Sequence, residues 1–223
     1  MTKKFIFVLC PPYQGSTIIV NLLDSSKEVS SLLCKNKLGE AQWLIKKHGD
    51  MTYESNRWDP NYNINMDIIK NILDTYLDKN KPIFVEKSPP NICRAKKIQD
   101  YFSNFGEVYF IISIRNPYST KYSAERWIEY ATYQKKNIET LNNTIITSYE
   151  DICLNLDNFI SKIKEKIPEL HDIHNHDNFN FDNERTKQIH QNYLDRILDK
   201  QEKNEVLKNN LDLLHYFGYT LIN

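Results

Sequence analysis

The chain has 223 residues, with 29 Lys plus Arg against 29 Asp plus Glu and a formal net charge of zero. That balance excludes the bulk positive field of a non-specific nucleic-acid binder, so any anion site must be local. An apolar fraction of 40% with 12% aromatic residues suits a folded globule, and the length suits one domain, residues 1–223.

In chain order, the first expected strand is FIFVLC at 5–10. PPYQGST follows and leads into an apolar helical pattern, IIVNLL, the layout of a loop that cradles an oxyanion at a helix N-terminus. The loop holds neither Lys nor Arg. A Walker loop places lysine between its second glycine and Ser/Thr, but here Ser16 follows Gly15 directly, and Cys10 stands at the first glycine position. A nucleotide triphosphatase is therefore disfavoured. What remains is a turn whose backbone N–H groups, with the Ser16 and Thr17 hydroxyls, suit phosphate or sulfate; a plain strand-to-helix turn with Ser16 as N-cap is the alternative.

KLGEAQW comes next, and a helix is expected over residues 40–48. Ile68, Ile69, Ile72, Leu73, Tyr76 and Leu77 form one helical stripe. The strand PIFVE (82–86) and a helix carrying Ile92, Ala95, Ile98 and Phe102 follow. Then come the strand VYFIISI (108–114), a helix with Ala124, Trp127, Ile128 and Ala131, and the strand TIITSY (144–149). Such unalternating apolar runs suit strands buried on both faces of a parallel sheet. The fold class is therefore α/β, a central parallel sheet flanked by helices with right-handed crossovers. A polar loop at 171–183 and a charged helical part at 184–216, read as an extension of the same domain, close the chain.

In such sheets ligands sit beyond the carboxyl ends of the strands. PPYQGST, EKSPPN and RNPYS all fall at that edge. Arg115 ends a buried strand and Ser123 lies eight residues on, so a guanidinium and a hydroxyl gripping one phosphate is a sensible reading; an Arg115 paired with a carboxylate is the other. Cys10, Cys34, Cys93 and Cys153 form neither a metal knuckle nor a redox pair and read as free thiols in a reducing compartment. The apolar run at the start is too short for a secretory segment, and no stretch approaches the ~18 apolar residues of a membrane span. A cytoplasmic location is expected. His171, His174 and His176 lack the ligand pattern of a metal site, and no metal is expected.

Strand-PxxGST-helix, strand-EKSP, strand-IRNP…S and strand-SYEDI, in this order, resemble the sulfotransferases that use 3′-phosphoadenosine 5′-phosphosulfate (PAPS). The resemblance runs from Phe5 to about Asp151, and LLHYFGYTLI is similar to the family's ending. It implies that Tyr13, Gln14, Gly15, Ser16 and Thr17 form the 5′-phosphosulfate loop and that Arg115 and Ser123 bind the 3′-phosphate. It implies that Lys87 lies near the bridging oxygen and that Glu40 stands where many members carry a catalytic base. Glu150 and Asp151 match a fold signature instead. Most members carry Lys or Arg where this chain has Tyr13, which implies weakened donor binding; Lys87 would supply the missing charge from across the sheet edge. For Glu40, a first-turn glutamate favoured by the helix dipole is the competing reading, and His48 is the second candidate base.

The implied reaction is sulfuryl transfer from PAPS to an acceptor hydroxyl. The EKSP turn leans, by resemblance, towards a saccharide; tyrosyl, lipid and small-alcohol acceptors stay open. The polar, ring-bearing stretches at 51–63 and 175–183 offer Trp58, Tyr62 or Phe179 to a sugar face, or are ordinary connections. The tyrosines of 119–133 read as packing residues. A P-loop phosphotransferase and a non-catalytic nucleotide binder of the same fold are the rival readings.

Overall fold

Phe5, Phe7 and Leu9 belong to one apolar cluster, and Ile6 and Val8 to another. This split is the period of two of an extended strand, with both faces buried. The computed structural model describes residues 2–36, 38–174 and 197–222. Its strands are β1 (Lys4–Leu9), β2 (Val29–Ser31), β3 (Ile83–Glu86), β4 (Glu107–Ile114) and β5 (Thr144–Ser148). They form one sheet in the order β2-β3-β1-β4-β5, and every pairing is parallel.

The helices are α1 (Ser16–Asp24), α2 (Gln42–Ile45), α3 (Tyr53–Asn56), α4 (Met66–Tyr76), α5 (Ala95–Phe102), α6 (Ala124–Thr140), α7 (Tyr149–Leu154) and α8 (Leu156–Lys166). Ile69, Ile72, Leu73, Ile98, Phe102 and Tyr130 pack with Phe5 and Phe110 on one face of the sheet. Ile19, Leu23, Ile152, Phe159 and Ile163 pack with Ile6 and Ile111 on the other. A third cluster joins Ile114, Tyr118 and Trp127 to Leu207 and Leu214 of the C-terminal helices Lys200–Leu207 and Leu211–Tyr216. Among the described residues no helix is long and apolar enough to cross a membrane.

Three expectations are adjusted. The strand β2 was not expected, because its three residues, Val-Ser-Ser, carry no apolar run. Its serines are buried because each has a partner: Ser30 accepts the Asp78 N–H and Ser31 donates to Asp24. The strand β5 is a sheet edge, not a strand buried on both faces, and Ile146 is exposed. The helix expected over 40–48 begins at Gln42, with only one α-helical turn before a 3₁₀ turn, Lys46–His48. Residues 175–183 of the expected loop and 184–196 of the expected helical part lie outside the described residues.

From β1 the chain builds β2 and β3 to one side and β4 and β5 to the other. The strand order therefore reverses beside β1, and a crevice opens beyond its carboxyl end.

Candidate active site

The turn after β1 places Tyr13 (φ 58°) and Gly15 (φ 97°) in the left-handed region. Gly15 is required there twice over. Its backbone favours glycine, and a Cβ would lie 2.7 Å from the ring of Tyr149. Gly15, not Ser16, is the N-cap of α1, and no side chain caps the helix. Ile18 N–H bonds the Gly15 carbonyl at 3.0 Å, and the N–H groups ahead of it in the first turn are the ones placed to meet an anion. Gln14 is fully buried, and its Oε1 accepts the Arg115 N–H at 2.9 Å, tying the first turn to the one after β4. Gln14 Nε2 has no hydrogen-bond partner among the described residues. Beneath the turn, Cys10 Sγ contacts the Gln14 carbonyl, and burial pushes this thiol up to about 12.

Lys87, at the end of β3, is 2% exposed. Its ammonium donates to Thr17 Oγ1 at 3.1 Å, to Ser16 Oγ at 3.3 Å and to Glu40 Oε1 at 3.0 Å. The positive charge missing from the loop thus arrives from the neighbouring strand. Glu40 is not a first-turn residue of a helix. It precedes α2, its backbone is held on both sides by Asn36, and its Oε2 accepts from Trp43 Nε1 at 2.8 Å and from Gln42 Nε2. The neighbouring Glu86 is a scaffold. It accepts the N–H groups of Ala41 and Ser88, the Ser88 hydroxyl and the Asn91 amide, and burial raises its carboxyl above the usual range. One carboxylate therefore fixes both the segment that carries Glu40 and the turn that carries Lys87.

Arg115 ends β4 and is buried; its Nε donates to Ser119 Oγ at 2.9 Å and its guanidinium lies 4.1 Å from the centre of the Tyr149 ring. The same ring touches Gly15, so the Gly15 turn and Arg115 stand one aromatic ring apart. Ser119 stands four residues after the arginine, in the 3₁₀ turn Pro117–Ser119. Ser123 is the N-cap of α6, its hydroxyl accepting the Arg126 N–H. The turn is braced from behind. Trp127 is fully buried and donates to the Arg115 carbonyl, Glu150 joins the Asn116 N–H to Tyr219, and Lys203 donates to the carbonyls of Pro117 and Thr120.

Beside the Gly15 turn opens a cavity of about 420 Å³ whose wall includes Ser16, Thr17, Glu40 and Lys87. Trp43, Arg57, Trp58, Tyr122 and Tyr130 form its other side. Trp58 lies 5.3 Å from Tyr130, and Tyr122 meets Tyr130 edge-on at 5.4 Å. These two tyrosines, expected only to pack, therefore also face the cavity. Tyr62 points elsewhere, to Asp50 and Thr52. His48 bonds Tyr76 at 3.3 Å and is not part of the cavity wall. Phe179 and His176 lie outside the described residues, and among those described no group of His, Cys, Asp and Glu could hold a metal.

Sequence reasoning missed Trp43, Arg57, Ser119, Tyr149 and the scaffold role of Glu86. Trp43 carried a signal, since it lies three residues after Glu40, where an indole N–H reaches back. Arg57 carried none, because only the tertiary fold brings it to Trp43.

No family model matches the chain, and no curated protein matches it. Solved structures do. The sulfotransferase domain of the Synechococcus PCC 7002 olefin synthase superposes with a TM-score of 0.50 at 16% identity, over 99% of this chain and 96% of that one. The sulfotransferase domain from the curacin biosynthetic pathway gives 0.50 at 13% identity, over 99% of each chain. Retinol dehydratase, solved with androsterone and inactive cofactor PAP, gives 0.41 at 13% identity, over 98% of this chain and 82% of that one. An all-parallel sheet with its strand order reversing at β1, matched end to end by the first two of these structures, makes this a chain of the sulfotransferase fold.

Proposed function

We propose that the protein is a cytoplasmic sulfotransferase that moves a sulfuryl group from PAPS to an acceptor hydroxyl. One observation carries the reading. A buried ammonium, Lys87, touches both hydroxyls of the phosphate-type turn and the carboxylate of Glu40 at the mouth of a ring-lined cavity. The site suits a nucleotide charged at both ends. The free N–H groups of α1 and Lys87 match one anion, and Arg115 with Ser119, one ring away, matches the other. Ser123, at the head of α6, stays a candidate for the second anion.

PAPS supplies a sulfuryl group activated by a phosphate leaving oxygen. Glu40 takes the proton of the acceptor hydroxyl as the acceptor oxygen bonds to sulfur. The bond from sulfur to the leaving oxygen breaks in line, and Lys87 stabilises the charge gathering there. Ser16 and Thr17 orient the sulfonate oxygens. The products are a sulfate ester, adenosine 3′,5′-bisphosphate and a proton that Glu40 returns to solvent. The rings of Trp58, Tyr122 and Tyr130 give the acceptor an apolar face, which a saccharide or another ring fits.

A second reading, a nucleotide binder without turnover, draws support from Tyr13, which is 81% exposed and brings no charge to the loop. Thermal melts separate the readings. A ligand at 100 times its dissociation constant stabilises a fold by about 2.7 kcal/mol. Adenosine 3′,5′-bisphosphate is expected to raise the melting temperature and Mg-ATP to leave it unchanged; the reverse would favour a phosphotransferase. Consumption of PAPS in the presence of hydroxyl acceptors then tells enzyme from binder.

A further inference from the structure

Among the described residues the cavity wall carries three charged side chains, Lys87, Glu40 and Arg57. Lys87 and Glu40 form an ion pair at 3.0 Å. Arg57 enters none of the ion pairs formed among the described residues, although the nearby Arg126 has its own partner, Glu129, at 2.6 Å. Among the described residues the cavity therefore holds one cation without a carboxylate, and it is only partly exposed to water.

The backbone that carries Arg57 is held by a buried neighbour. Arg94, 3% exposed, donates to the Arg57 carbonyl at 2.7 Å and to the Asp59 carbonyl at 3.4 Å. The guanidinium of Arg57 lies 5.5 Å from the centre of the Trp43 rings, and Trp43 Nε1 donates to Glu40 Oε2 at 2.8 Å. Glu40 and Arg57 thus both meet the same indole. A hydroxyl delivered to Glu40 places the far side of its own molecule, about one indole ring away, beside Arg57.

We propose that the acceptor carries a carboxylate as well as a hydroxyl, the two set about one ring apart, and that Arg57 selects it through a charge-assisted, bidentate contact. This rests on the sulfotransferase reading above and adds the acceptor class to it. Guanidinium planarity suits a carboxylate, and a partly desolvated arginine without a counter-charge favours one over a neutral group of the same shape. A neutral alcohol would fill the ring-lined part and leave Arg57 unpaired.

The test uses the full chain saturated with adenosine 3′,5′-bisphosphate and two matched pairs of probes, read by further thermal stabilisation. One pair is N-acetyltyrosine against N-acetyltyrosinamide. The other is 4-nitrophenyl glucuronide against 4-nitrophenyl glucoside. In at least one pair the carboxylate member is expected to bind at least tenfold tighter, and Arg57→Gln to erase that preference while the response to the bisphosphate stays unchanged. Equal binding within both pairs, including no binding by any probe, overturns the proposal. So does a preference that survives Arg57→Gln. Failure of the bisphosphate itself to stabilise the protein is a different result, and it removes the sulfotransferase reading instead.

Discussion

On the side assigned to the nucleotide, Gln14, Ser16, Lys87 and Arg115 are at most 6% exposed. On the side assigned to the acceptor, Trp43 is 50% and Leu38 46% exposed, around a buried Tyr130. The first side is made of charges and hydroxyls fixed by buried partners: Glu86, Trp127, Glu150 and Lys203 hold the turns, and none of the four belongs to the cavity wall. The second side is made of rings with few hydrogen bonds. A pre-positioned electrostatic half suits a step in which charge moves between fixed oxygens. An open, ring-lined half suits an acceptor whose identity is set by shape and by one charge.

Variants that strike one half and spare the other sharpen this contrast. The largest effect is expected from Lys87→Met. Removing one partner of a buried pair typically costs about 3–5 kcal/mol, because the other charge is left unpaired. Chemical denaturation should show a loss of that order, and transfer should be undetectable. If stability is unchanged, Glu40 is not held as the structure has it. Glu40→Gln keeps the shape and removes the base; turnover should fall by about 100-fold or more while bisphosphate binding is retained. Undiminished turnover would take Glu40 out of the chemistry.

Trp58→Ala acts on the other half. Loss of an aromatic contact of about 0.5–1.5 kcal/mol predicts a two- to tenfold rise in acceptor KM, with kcat and nucleotide affinity nearly constant. A fall in nucleotide affinity instead would mean that the two halves are not separable. Tyr13→Arg should have the smallest effect. It restores a basic residue to a loop position with φ 58° that is 81% exposed, so screening limits the gain. Bisphosphate affinity should rise by up to about tenfold at low ionic strength, and the gain should fade in salt.

The same division decided what the sequence made legible. Buried strands announce themselves as apolar runs, and the turns at their ends are contiguous, so PPYQGST, EKSPPN and RNPYS could be placed at one edge from spacing alone. Lys87 was legible through the resemblance of EKSP to the family's motif; that β3 lies next to β1 is a matter of strand order, which no local pattern displays. Ser119 was not legible, because its approach to Arg115 depends on the 3₁₀ turn at Pro117–Ser119. Glu40 could be named, but whether it faced a helix dipole or an ammonium depended on Asn36 and Lys87, one of them distant in sequence. Arg57 and Trp43 are brought together by tertiary packing, which leaves no local pattern. β2 was invisible because its residues are stabilised by serine hydrogen bonds and strand pairing, not by apolar character.

The central claim is that one nucleotide, with a phosphate at each end, lies between the Gly15 turn and Arg115. The direct measurement compares the affinities of adenosine 3′,5′-bisphosphate and adenosine 5′-monophosphate for the unaltered chain and for Arg115→Met, by calorimetry. The account predicts that the bisphosphate binds at least tenfold tighter to the unaltered chain, and that Arg115→Met removes this advantage while the monophosphate binds as before. Equal affinities in the unaltered chain, or an advantage that persists without Arg115, would contradict it.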